Sequence, residues 1–272
     1  MKKFQIFYLS FAFISTAVFA SECPEHYLQG QVPSLQVPLQ LDQELCFDAF
    51  ATGYSYQSRS AFYSAEHLTS ANLKRAKRLD RKDSFHEELS LPETARVELR
   101  DYKGSGFDRG HLAPNADMPT RKAQGQSFSL SNMVPQLHKN NAGIWSEIES
   151  TARQLADQYE EVYIISGGVY SGTTQKINRR IPVPNALFKA IYIPSKNQAG
   201  VYLSDNNATG EYEVISVNDL KKLTGIDVFP KLPLSVKSKA AGLPEPQQQI
   251  KSKTRMARSN SIFDSLLKQM LK

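Results

Sequence analysis

Between residues 141 and 158 the run NAGIWSEIESTARQLADQ sets Ile144, Trp145, Ile148, Ala152 and Leu155 at helical spacing, with Asn140 or Asn141 near its cap. Beyond this helix the pattern turns to sheet. EVYIISGGVY, ALFKAIYI, AGVYLSD and EYEVISV are rich in β-branched and aromatic residues and are parted by Gly, Pro and Asn clusters. Val217–Leu223, stopped by Thr224 and Gly225, reads as a short helix. Upstream, the aromatic run from Cys46 to Leu68 reads as two strands with a turn at Gly53. A short strand is predicted at Phe107–Leu112, and Ser127–Val134 alternates as a strand would. The core-forming sheet is therefore expected from residues 46–70, 127–134 and the half after 160.

The 272 residues are 40% apolar and 22% charged, a globular composition that excludes wholesale disorder. Lys2 and Lys3 precede an apolar run from Phe4 to Phe19 that closes on Val18-Phe19-Ala20, so residues 1–20 read as a cleaved secretory signal. The expectation is a secreted or periplasmic protein with no stable membrane insertion after cleavage. Glu22 stands before Cys23 where a lipid-modified cysteine needs a small residue. Cys23 and Cys46, the sole cysteines, are expected to pair as an N-terminal staple, worth about 3 kcal/mol on chain entropy. The chain has no paired C-x-x-C and no H-E-x-x-H, and so no zinc pattern.

The net charge of +6 is unevenly placed: the leader holds +2, residues 236–272 hold +6, and residues 21–235 carry −2. Any case for nucleic acid must rest on a local patch rather than on overall basicity. One such run is LKRAKRLDRK at 73–82, which by itself reads as a solvated helix face. Past Pro233 the composition shifts to Lys, Ser, Gln and Pro, predicting a basic, disordered tail over 236–272 with an amphipathic helix at Ile262–Leu271. Residues 21–235 are left as one domain.

The sharpest chemical signal is Phe107-Asp108-Arg109-Gly110-His111-Leu112-Ala113-Pro114. An imidazole whose ordinary pKa is near 6.5 is largely neutral at working pH and suits a general base. On spacing alone, a histidine beside Asp and Arg is more often a hydrogen-bonded structural residue, and the local pattern by itself favours that reading. GFDRGHLAP followed by NMVPQLHKNNAGIWSEIE resembles the signature of the DNA/RNA non-specific endonucleases, the group that includes mitochondrial endonuclease G and secreted bacterial nucleases. The likeness covers roughly residues 45–235.

That resemblance implies an α+β chain with the ββα-metal nuclease fold, an antiparallel sheet core with flanking helices. It implies a metal-dependent hydrolase that cuts phosphodiester bonds of DNA and RNA without sequence preference and leaves 5′-phosphate ends. His111 matches the general base and Asn141 the single protein ligand to Mg²⁺ or Mn²⁺. Glu149, eight positions and about two turns on, matches the acid that orders the metal's waters. Arg109 and Asn132 match supporting positions, and Arg81 matches the arginine that stabilises charge on the phosphate, with Arg78 and Arg75 as neighbours in register; Asn132, Arg78 and Lys189 are the expected substrate contacts. Lys189 is a candidate for the same cleft, whereas His138 and His67 fall outside the matched positions. Two rival classes remain: a phosphoesterase for small phosphates, and a nucleic-acid binding module without catalysis.

Overall fold

The computed structural model describes residues 21–36, 38–246 and 261–271. The expected leader, residues 1–20, and the stretch 247–260 of the tail lie outside the described residues. Along the chain, strands β1 (Gln43–Cys46), β2 (Ala51–Ser55) and β3 (Ser60–Thr69) form a meander that runs into helix α1 (Ser70–Ala76). A short helix α2 (Leu99–Tyr102) precedes a separate antiparallel pair, β4 (Asp108–His111) and β5 (Met133–Gln136), with helix α3 (Arg121–Ser127) between its strands. An α-turn at His138–Asn140 and a π-helical turn at Asn141–Trp145 lead into the long helix α4 (Ser146–Tyr159). Strands β6 (Glu161–Val169), β7 (Ala186–Ile193), β8 (Gln198–Asp205) and β9 (Tyr212–Ile215) follow, then helices α5 (Val217–Thr224), α6 (Leu234–Lys237) and α7 (Ile262–Met270).

The main sheet has seven strands in the order β9-β8-β7-β6-β3-β2-β1, antiparallel throughout. Its centre is covered on both sides, which explains why all eight residues of β7 are buried and why ALFKAIYI does not alternate in polarity. On one side Leu187 and Ile191 meet Trp145, Ile148, Ala152 and Leu155, the apolar stripe of α4. On the other, Phe188, Val201 and Leu203 meet Val217, Leu220 and Leu223 of α5 together with Ile262 and Leu266 of α7. Each such side chain contributes on the order of 1.5–3 kcal/mol by leaving water. The Cys23–Cys46 disulfide is formed, with Cα atoms 5.8 Å apart, and ties the first residues to β1.

Several local readings change. The β2–β3 turn lies at Tyr56–Arg59, and Gly53 sits inside β2, where a Cβ would stand 2.5 Å from the Tyr63 ring. The basic run is helical only to Ala76: Leu73 and Ala76 are buried, but LDRKDS offers no further apolar stripe to hold a helix. Leu130–Asn132 is a 3-10 turn because the Ser129 hydroxyl accepts from Ser131 N, and the strand begins only at Met133. The long helix starts earlier than its expected cap, with Leu137 preceding the first helical residue.

The tail differs most. Ala241 N donates to the Ala199 carbonyl at 2.9 Å, the Tyr202 hydroxyl donates to the Pro244 carbonyl at 2.6 Å, and Leu243 is buried. Helix α7 forms where its amphipathic pattern predicts, and the Glu213 carboxylate accepts from Ile262 N, Phe263 N and the Ser261 hydroxyl. Disorder is therefore not what residues 236–246 and 261–271 show. A carboxylate at a helix N-terminus and two buried apolar side chains hold the end of the tail on the core.

Candidate active site

Strand β4 and the helical segment after β5 converge beside a cleft of about 560 Å³ lined by Arg81, Asp83, Phe85, Tyr102, Lys103, Arg109 and Asn141, among others. Gly110 allows this approach, because a Cβ there would stand 2.0 Å from Oε1 of Gln136 on the paired strand. His111 ends β4 and is 8% exposed, with its Nε2 buried and without a hydrogen-bond partner. The ring packs edge-on against Phe128 at 5.0 Å and faces Phe85 at 5.8 Å between centroids, so it stands behind the cleft wall rather than in its lining. Burial, helped by the guanidiniums of Arg81 and Arg109, pulls its pKa from 6.5 down to about 3, and Asp83 opposes the shift. The imidazole is held neutral.

The two arginines are arranged by the same rings. The Arg109 guanidinium lies 3.9 Å from the Phe85 centroid, and that of Arg81 5.4 Å from the Phe128 centroid. Arg81 also pairs with Asp83 at 2.6 Å. Arg78 is exposed and, like Arg75, is not part of the cleft lining, so of the basic run it is Arg81 that reaches the site. Phe85 and Phe128 were not signalled by the motif, since their role appears only once the loop after α1 folds across β4.

Asn141 stands on the π-turn, half-buried, with Nδ2 donating to Asp108 Oδ2 at 2.9 Å. The same carboxylate oxygen meets His138 Nδ1 at 2.8 Å. Asp108 thereby orients the Asn141 amide, a task sequence reasoning gave to neither residue. One residue earlier, Asn140 is buried and donates to Ser204 Oγ and the Asp205 carbonyl, fixing the turn to β8. Between Asn141 and Glu149 the chain kinks at Gly143 (φ −107°, ψ −116°), so their eight-residue spacing is not that of a continuous helix. Burial lifts the Glu149 carboxyl from 4.5 to about 7, against the pull of Lys189 and Arg153.

Two expected substrate contacts are placed otherwise. Asn132 is wholly buried, and its amide is spent: Oδ1 accepts from Ser64 Oγ and Ala113 N, and Nδ2 donates to the carbonyls of Ala113 and Ser127. With both lone pairs and both hydrogens used, it has nothing left for substrate and instead pins the chain after His111. Lys189 is 1% exposed in the sheet and does not reach the cleft surface. It lies among Glu66, Asp117, Glu149 and Arg153, and burial raises the carboxyls of Glu66 and Asp117 above their usual range. Arg153 donates to Asp117 at 3.0 Å.

The donor set suits a hard cation. Among the described residues the one group of His, Cys, Asp and Glu close enough to hold an ion is Cys23, Glu44 and Cys46, whose sulfurs are joined in the disulfide. A cation in the cleft would rest on the Asn141 amide oxygen, waters and substrate oxygens, as Mg²⁺ or Mn²⁺ accepts and zinc does not favour. No helix of the described residues is long and apolar enough to cross a membrane.

Comparison with known proteins adds to this geometry. The family model described as DNA/RNA non-specific endonuclease matches residues 28–235. Nuclease C1 of Cunninghamella echinulata var. echinulata is 32% identical over 209 residues, covering 69% of this chain and 83% of that one. A nuclease of Nostoc sp. is 31% identical over 240 residues, covering 79% and 85%. The human mitochondrial nuclease EXOG is 30% identical over 220 residues, 72% of this chain but only 59% of that longer one. Endonuclease G, solved in complex with its inhibitor EndoGI, superposes with a TM-score of 0.67 at 22% identity, covering 72% of this chain and 89% of that one, and shows the shared ββα-metal fold. The chain belongs to the DNA/RNA non-specific endonucleases and is a hydrolase of that family.

Proposed function

We propose that this chain is an exported endonuclease, dependent on a divalent cation, that hydrolyses DNA and RNA without sequence preference and leaves 5′-phosphate ends. The observation that carries the reading is His111: a buried, neutral imidazole with an unpartnered Nε2 that feels the Arg81 and Arg109 guanidiniums, behind a cleft lined by both arginines and by an oriented Asn141. Nε2 takes the proton of a water whose oxygen attacks phosphorus in line, and the 3′-oxygen departs. Arg81 and Arg109 hold the non-bridging oxygens and balance the charge that gathers on them. A phosphate between these arginines also cancels two of the causes that keep His111 acidic, so substrate itself strengthens the base.

Asn141 would hold Mg²⁺ or Mn²⁺ with Glu149 ordering its waters, and the cation would supply Lewis-acid stabilisation of the leaving oxygen. Arginines that meet phosphates read no base edge, which supports cleavage without sequence preference. Export is supported by Lys2, Lys3 and the apolar run that follows, and by a disulfide suited to an oxidising compartment. In this reading residues 21–235 form the catalytic domain.

Purified mature protein should convert plasmid DNA and RNA to short 5′-phosphorylated products with Mg²⁺ or Mn²⁺ and do nothing with a chelator. Hydrolysis of small phosphodiesters alone, or DNA binding without cleavage, would replace this reading by a phosphoesterase or a binding module. Asn141→Ala should need far more Mg²⁺ for the same rate.

A further inference from the structure

Lys189 presents a physical problem: an ammonium taken wholly out of water costs several kcal/mol, and a methionine of similar length would fill the same space. Its place in the sheet suggests the answer. Thr52, Ser64, Ser166 and Lys189 are register partners across β2, β3, β6 and β7, and all four are buried. Thr52 Oγ1 meets Ser64 Oγ at 3.0 Å, Ser64 Oγ donates to Asn132 Oδ1 at 2.8 Å, and Lys189 Nζ donates to Ser166 Oγ at 2.6 Å. The row ends on the main chain beside the base: Lys189 Nζ reaches the Leu112 carbonyl at 3.3 Å, while Asn132 holds both N–H and C=O of Ala113. Lys189 Nζ also lies 5.2 Å from the Trp145 ring centroid, and Trp145 Nε1 donates to the His111 carbonyl at 3.2 Å. Trp145 closes the same π-turn that carries Asn141.

We propose that Lys189 is a positioning residue that, through the Leu112 carbonyl and through Trp145, holds the main chain of His111 at a fixed separation from the segment bearing Asn141. It touches no substrate. The sheet supplies the rigid reference, the lysine joins it to strand β4, and the cation–π contact with Trp145 joins both to the helix. This rests on the nucleolytic reading given above. A shift of about 1 Å between base and phosphate is enough to cost about 100-fold in rate, so loss of either link should act on turnover before it acts on binding.

The test compares Lys189→Met, Lys189→Arg, Trp145→Phe, the double variant Lys189→Met with Trp145→Phe, and Leu203→Ala, a purely apolar truncation on β8 that belongs to the opposite face of the sheet. Thermal unfolding, kcat and KM on plasmid DNA at saturating Mg²⁺, and the ¹⁵N-imidazole spectrum of His111, assigned with His111→Ala, are measured on each. Lys189→Met and Trp145→Phe should lose about 10- to 100-fold in kcat with KM within twofold and a shifted or broadened His111 resonance. The double variant should lose less than the product of the two single losses, because both contacts hold the same stretch of main chain. Leu203→Ala should lose stability while keeping kcat and the His111 resonance, and Lys189→Arg should recover part of the turnover. The proposal is overturned if Lys189→Met keeps wild-type kcat and resonance, or if Leu203→Ala lowers kcat as much at equal loss of stability. Should Lys189→Met fail to fold, a folded Trp145→Phe with unchanged kcat and resonance overturns it equally. Wild-type protein that cuts no nucleic acid would sink the nucleolytic reading instead, and the His111 resonance would still report on the link.

Discussion

Two register rows, one residue apart, cross the same strands of the main sheet on opposite faces. Ala51, Ala65, Ile165, Ala190 and Val201 make one, and Thr52, Ser64, Ser166 and Lys189 make the other. The first meets α5 and α7 through apolar contact. The second meets the hairpin of His111 through hydrogen bonds and lies near Glu66, Asp117, Glu149 and Arg153. Apolar packing is non-directional and tolerates small shifts, whereas a chain of buried hydrogen bonds fixes positions but costs desolvation. One row is therefore built to hold the fold, and the other, set among the apolar contacts with α4, to hold geometry.

The largest effect expected is on the polar face. His111→Ala should slow cleavage by about 10²–10⁴-fold at a temperature where the variant is folded, with some stability lost to the cavity left beside Phe85 and Phe128. A rate within tenfold of wild type would break the division. The reverse holds for Phe188→Ala on the apolar face: a stability loss of about 3–5 kcal/mol, read by urea unfolding, with kcat intact at a temperature where the variant is folded. Deleting residues 247–272 should cost about 3 kcal/mol by exposing the seat of Ile262 and Leu266, and it should also flatten the salt dependence of DNA binding. Turnover on saturating DNA should persist. Replacing Cys23 and Cys46 by serine should cost about 3 kcal/mol, again with activity retained, because the disulfide anchors the edge strand β1 and not the hairpin.

The smallest effect is the pH dependence of stability. His111 falls to about 3 in the fold from an ordinary 6.5, so the unfolded chain binds more protons between those values and stability drops as pH falls through them. Buried His26 acts in the same sense. Glu149 rises to about 7 from 4.5, so the folded chain holds the extra proton and stability drops as pH rises from 4.5 to 7, with Glu66 and Asp117 adding to that slope. Glu149→Gln should gain on wild type across that interval, and His111→Ala should gain below pH 6.5. Melting curves from pH 4 to 8 that leave all three proteins parallel would remove the polar face as the source.

The parts legible in the sequence were those carried by local periodicity. The α4 stripe, the four late strands, α5 with its glycine stop and the strand of His111 all follow from spacing of three to four or of two. The resemblance also singled out Arg109, Arg81 and Asn141, which line one cleft, and His111, which lies behind its wall. Where a residue's partner lies far along the chain, spacing was mute. Ser64 binds Asn132, Lys189 binds Leu112 and Glu213 caps α7, each across more than forty positions. That is why Asn132 and Lys189 read as substrate contacts, why Phe85 and Phe128 went unremarked, and why a Lys- and Gln-rich tail looked structureless. A π-turn has no spacing signature of its own, so the true start of the helix was equally hidden.

Gly110 separates reactivity from recognition in a way that is useful at the bench. A methyl group there collides with Gln136, whose amide is itself bonded to Asn140, so it pushes β4 away from the segment that carries Asn141. Every acid, cation and imidazole of the motif keeps its identity, yet none keeps its place. Gly110→Ala, by sequence a mild change between two small residues, should therefore lower turnover far more than it lowers the positive charge of the cleft.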